Sequence, residues 1–114
     1  MNLNTVDTRW TDDRIVELIR GLRNDLIKDF LDERILAAYW AEQYRIHSPS
    51  KIKIQLIRRD LKELLIAPVN VDHYRPIIEQ IRETDSAGLA KTHEGLFYDE
   101  LHQIFRKYLY SDIG

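Results

Sequence analysis

Seven side chains between Arg45 and Lys62 are the part of this chain best equipped to recognise something. Arg45, Lys51, Lys53, Gln55, Arg58, Arg59 and Lys62 supply six cations and one amide, against a single acid, Asp60. Long cationic side chains at this density suit phosphate oxygens, and Arg and Gln can also pair bidentately with the major-groove edges of guanine and adenine. The formal net charge of −2 conceals this segregation. Residues 1–44 carry −3, residues 45–62 carry +5 and residues 63–114 carry −4. A basic island in an acidic protein can face DNA, an acidic protein partner, or solvent and its own carboxylates, and residue type alone leaves all three open.

Other chemistries lack their residues. The chain has no cysteine, which removes thiolate catalysis, iron–sulfur ligation and Cys-based zinc sites. His47, His73, His93 and His102 could join Glu94 and Glu100 around a metal, but His93 and His102 do not share a helical face as an i, i+4 pair would. There is no glycine-rich phosphate loop or dinucleotide fingerprint. None of Ser48, Ser50, Ser86 and Ser111 sits at a strand-to-helix elbow. The pairs Asp12–Asp13, Asp32–Glu33 and Asp99–Glu100 read as helix-start or surface charges. The expectation is a protein that is not an enzyme and has no metal and no cofactor.

The elements that must carry the basic island follow from periodicity. The chain has 114 residues, 44% hydrophobic and 32% charged, with only four glycines and three prolines. That composition predicts an all-α fold, a compact single-domain bundle of four to six helices over residues 11–114, after an N-terminal extension of residues 1–10. Thr11 is placed to cap a helix opening with Asp12 and Asp13. Ile15, Leu18, Ile19 and Leu22 repeat at helical spacing, and the pattern runs on through Leu26, Ile27, Phe30, Leu31, Ile35, Tyr39 and Trp40. Residues 12–45 are therefore one long helix or two joined near Asn24–Asp25 or Leu31–Asp32, two being preferred because a small globule must fold helices back to bury their stripes.

Ser48 as cap and Pro49 at the first helical position predict a helix over 49–66, its apolar side being Ile54, Ile57, Leu61, Leu64 and Leu65, with Pro68 ending it. At 100° per residue Lys51, Gln55, Arg58, Arg59 and Lys62 share one sector of about 100° beside that apolar side. A fourth helix over 75–84 carries Ile77, Ile78 and Ile81, and a helical turn is expected between Gly88 and Gly95. A last helix over 95–110 carries Phe97, Leu101, Ile104, Phe105 and Tyr108, a side broad enough to suggest a homodimer face. Tyr98 and Tyr110 fall off that side and are candidate protein-interface anchors. No stretch approaches the roughly 18 apolar residues of a membrane helix and the start lacks a signal-peptide pattern, so a cytoplasmic protein is expected.

Two segments resemble known DNA-binding families. Trp10-Thr11-Asp12-Asp13-Arg14-Ile15-Val16-Glu17-Leu18 resembles the opening helix of GcrA-type bacterial regulators and, more loosely, of Myb/SANT domains. Ile57-Arg58-Arg59-Asp60-Leu61-Lys62-Glu63-Leu64 resembles the recognition-helix ending of DeoR-type winged-helix repressors. The resemblance implies a helix-turn-helix unit in which Trp10 packs the core, the helix around 32–45 supports, and the helix over 49–66 reads DNA. Ala41 and Ile46 would take the small and apolar positions of the turn, and Arg45 stands where the turn glycine is expected. The first functional expectation is thus a small DNA-binding regulatory protein. The second is a protein-interaction module, such as a small subunit, adaptor or inhibitor, using the basic stripe or the last helix.

Overall fold

The computed structural model describes residues 10–86, 88 and 92–110. Among these residues five helices follow one another: α1 (Asp12–Phe30), α2 (Glu33–Tyr44), α3 (Lys51–Ile66), α4 (Arg75–Thr84) and α5 (Glu94–Leu109). No strand occurs among the described residues, so the all-α bundle read from composition is what the chain forms. Residues 1–9, most of the expected N-terminal extension, and much of the expected turn between Gly88 and Gly95 lie outside the described residues.

Local chemistry sets most of the boundaries. Thr11 caps α1, its hydroxyl accepting from the Arg14 N–H at 3.3 Å while Asp12 and Asp13 meet the positive end of the helix. The break between α1 and α2 falls at Leu31–Asp32, where the Asp32 carboxylate accepts from the N–H groups of Arg34 at 2.8 Å and Ile35 at 3.4 Å. Asn24 stays helical. The start of α3 differs from the sequence expectation: Ser50 is the cap, its hydroxyl accepting from the Lys53 N–H at 3.2 Å. Ser48 and Pro49 stay in the connector, consistent with the extended backbone that a following proline imposes on Ser48. α2 ends on Arg45 in the left-handed conformation, φ 54° and ψ 41°, a geometry that costs a non-glycine residue about 1 kcal/mol.

Two apolar clusters make the core, and α1 and α5 run through both. At one end Ile15 and Ile19 meet Val69, Tyr74, Ile77, Ile78, Ile81 and Phe97. At the other Ile27 and Phe30 meet Leu36, Trp40, Ile54, Ile57, Leu61, Leu101, Phe105 and Tyr108. Trp10 packs on the first cluster, with the Arg14 guanidinium 4.8 Å from its ring centroid. α4 is tied to the rods by hydrogen bonds from Arg82 to Asp12 and from the Tyr74 hydroxyl to Glu100.

Arg23, on α1 between the two clusters, is wholly buried. Its guanidinium donates to the carbonyls of Ala67 at 2.9 Å and Pro68 at 3.4 Å, and to the Asn24 side chain at 3.1 Å. Asn24 in turn donates to the Leu65 carbonyl at 3.3 Å. The last turn of α3 holds no cation of its own, so α1 supplies the donors that its orphan carbonyls and negative end require. That fixes the C-terminal end of α3 against α1.

Candidate interaction face on helix α3

Ile54, Ile57 and Leu61 turn α3 inward, against α1, α2 and α5. At 100° per residue the opposite direction carries Ile52, Arg59, Glu63 and Ile66, with Leu56 beside them and Lys51, Gln55 and Lys62 along one edge. Ile52 is 62% exposed and Ile66 87%. Two shallow hollows of about 460 Å³ each follow this face. One is lined by Lys51, Ile52, Gln55, Leu56 and Arg59, the other by Gln55, Arg58, Arg59, Lys62, Glu63 and Ile66. Sharing Gln55 and Arg59, they form one open strip along the helix.

The structure divides the seven basic-island residues into three groups. Arg58 and Gln55 are engaged within the protein. Arg58 Nε donates to the Leu31 carbonyl at 2.8 Å, Arg58 Nη1 donates to Gln55 Oε1 at 2.9 Å, and Gln55 Nε2 donates to Glu33 Oε1 at 2.7 Å. This chain of bonds stitches α3 to the corner between α1 and α2. Lys53 lies on another side, its ammonium 5.8 Å from the Trp40 ring centroid. Lys51, Arg59 and Lys62 are exposed on the strip, and Arg45 is exposed at the end of α2.

Arg59 also belongs to a cluster that fastens α3 to α5. Its Nε and Nη2 each lie 3.2 Å from Asp60 Oδ1, and Nη2 reaches the Tyr108 hydroxyl at 3.2 Å. Asp60 Oδ2 accepts from the Tyr108 hydroxyl at 2.6 Å and from Lys107 Nζ at 3.2 Å. Burial pushes the Asp60 carboxyl up, but the hydrogen bonds from Tyr108, Lys107 and Arg59 outweigh it and hold the group below its ordinary value. The cation of Arg59 is thus partly balanced before any partner arrives.

The two tyrosines singled out from sequence have different surroundings. Tyr110 is 82% exposed at the end of α5. Tyr98 is half-buried, its ring stacked on Tyr39 with centroids 6.0 Å apart and edge-on to Phe30 at 6.4 Å. Beside it His102 Nε2 shares a 2.7 Å hydrogen bond with the Tyr39 hydroxyl. Burial and then Arg106 lower the His102 pKa against the opposing effect of Asp99, while burial above all pushes Tyr39 up to about 12. The apolar side of α5 that suggested a dimer face turns inward, with Phe97, Leu101, Phe105 and Tyr108 buried, because both core clusters need it. Ile46, which the helix-turn-helix resemblance places in a packed turn, is exposed.

Ile52, Leu56 and Ile66 were absent from the residues singled out by sequence, although the helical wheel carried their signal: they lie off the line of Ile54, Ile57 and Leu61. Among the described residues no group of three or more His, Asp or Glu could hold a metal ion, and no helix is long and apolar enough to cross a membrane. The chain matches no family model, no curated protein and no solved structure.

Proposed function

We propose that this protein is a non-enzymatic interaction module that docks another polypeptide along the outward strip of α3. The observation that carries the reading is the pair of exposed isoleucines, Ile52 and Ile66, on the same strip as Arg59 and Lys62. Burying each in a partner is worth about 1.5–3 kcal/mol, whereas neither gains from a phosphate backbone. The amide and guanidinium best suited to base edges, Gln55 and Arg58, are engaged with Glu33 and Leu31. Glu33 and Glu63 add negative charge where phosphates would approach.

A photo-crosslinking residue in place of Ile52, expressed in the native host, should capture a defined protein, and adding Ile66→Glu should abolish that capture. The DNA-binding regulator is the second reading, favoured by the exposure of Lys51, Arg59 and Lys62 along α3 and of Arg45 at the end of α2. Retardation of mixed-sequence duplex at low salt, weakening with a log–log slope of about −0.9 per phosphate contacted, would replace the first reading with the second.

A further inference from the structure

Five residues of the α3 strip, Ile52, Leu56, Arg59, Glu63 and Ile66, are spaced alternately four and three apart. That is the seam of a two-heptad helical pairing surface, apolar at both ends and with one cation and one anion in the middle. Ile52, Arg59, Glu63 and Ile66 are exposed, Leu56 is half-buried with its remaining surface lining the hollow on this face, and a seam of this spacing is matched by another helix.

We infer that the strip pairs with the same strip of a second copy of this chain, the two α3 helices lying antiparallel about a two-fold axis. The inference rests on the interaction reading above and names a partner for the Leu56–Ile66 part of its strip. Leu61, on the inward side of α3, is midway in sequence between Arg59 and Glu63 and also midway between Leu56 and Ile66. A two-fold axis at that level therefore sets Arg59 of each copy against Glu63 of the other, and Leu56 against Ile66. Every layer is complementary, as an isologous contact demands. A strip made only to meet an acidic partner would have no use for Glu63 in its centre. The Lys62 ammonium groups fall along one edge, where long solvated side chains can splay and salt screens them. Ile52 lies beyond the last layer.

The contact is one helix face wide, below the area of stable dimers, so a weak and reversible dimer is the expected form. Sedimentation velocity over a concentration series of the full chain should show wild-type dimerisation in the upper micromolar range. Arg59→Glu and Glu63→Arg should each weaken it at least tenfold, because each sets like charges opposite one another. An equimolar mixture of the two single variants should recover wild-type association, since both central layers of the mixed pair are again opposite in sign. The double variant Arg59→Glu/Glu63→Arg should recover it as well. Ile66→Glu should abolish dimerisation and Ile52→Glu leave it within twofold of wild type, with circular dichroism confirming that each variant is folded. A wild-type chain that stays monomeric at millimolar concentration, single variants that dimerise like wild type, or a mixture that fails to recover would each overturn the inference. Capture of a different protein by the crosslinker at position 52, lost on Ile66→Glu, would then still support the interaction reading.

Discussion

Replacing Arg23 by methionine removes a guanidinium from the wholly buried centre of α1 while keeping most of the stem that packs there. Lost with it are the bonds to the Ala67 carbonyl at 2.9 Å and the Pro68 carbonyl at 3.4 Å. A charge-assisted bond of this kind is worth about 1.5–3 kcal/mol, and a carbonyl left without a donor costs about 1–3 kcal/mol. Against this, the desolvation of a buried cation is no longer imposed. The balance is a destabilisation of about 2 kcal/mol, or roughly 8 °C in Tm for a chain of this size. Arg23→Lys keeps the charge but cannot span both carbonyls, and should cost about 1 kcal/mol. Urea unfolding read by tryptophan fluorescence measures this from both ends of the core, because Trp40 lies in one cluster and Trp10 packs on the other. With Trp10→Phe and Trp40→Phe backgrounds to separate the two probes, both transitions should move together. An Arg23→Met protein within 0.5 kcal/mol of wild type would refute the claim that α1 caps α3 through this side chain.

Three further outcomes are expected. Arg58→Met should destabilise the fold by about 1–2 kcal/mol, because the Leu31 carbonyl loses its charged donor, whereas Lys62→Glu should stay within about 0.5 kcal/mol of wild type; equal effects in chemical denaturation would show that Arg58 is not structural. Arg45→Gly should stabilise by about 0.5–1 kcal/mol, since glycine adopts the left-handed conformation observed at φ 54° without strain, and an unchanged or lower Tm would contradict this. The lowered pKa of His102 means that the unfolded chain binds its proton more readily. Its contribution is full above about pH 6.5 and declines as pH falls through the folded-state value. His102→Gln can keep a hydrogen bond to Tyr39 without titrating, and should flatten the stability profile below pH 6.5; identical slopes in the two proteins would exclude this role.

The available surface of α3 is narrower than its composition. Six cations in eighteen residues suggest a polyanion surface, yet one of them, Arg58, bonds to the end of α1, and Lys53 turns toward Trp40. Arg59 shares its charge with Asp60 beside Tyr108 and Lys107. What faces outward is a mixed strip with apolar residues toward its two ends and charges between them, the mixture on which the interaction reading rests.

The helices and most of their ends were legible in the sequence because their causes are local. Thr11 and Asp32 cap through bonds to N–H groups two or three residues away, and the spacing of Ile15, Ile19 and Ile27 or of Ile54, Ile57 and Leu61 picks out the buried side of each rod. The same spacing showed that Ile52 and Ile66 lie off the core line, but not whether another helix covers them. The fates of Arg23, Asn24, Gln55 and Arg58 depended on partners 22 to 45 residues distant, and a polar residue on a helix looks the same in sequence whether it meets water or a carbonyl of a neighbouring helix. Only the packing of α1 against the end of α3, and of α3 against the α1–α2 corner, decided which cations became internal fastenings and which remained on the surface.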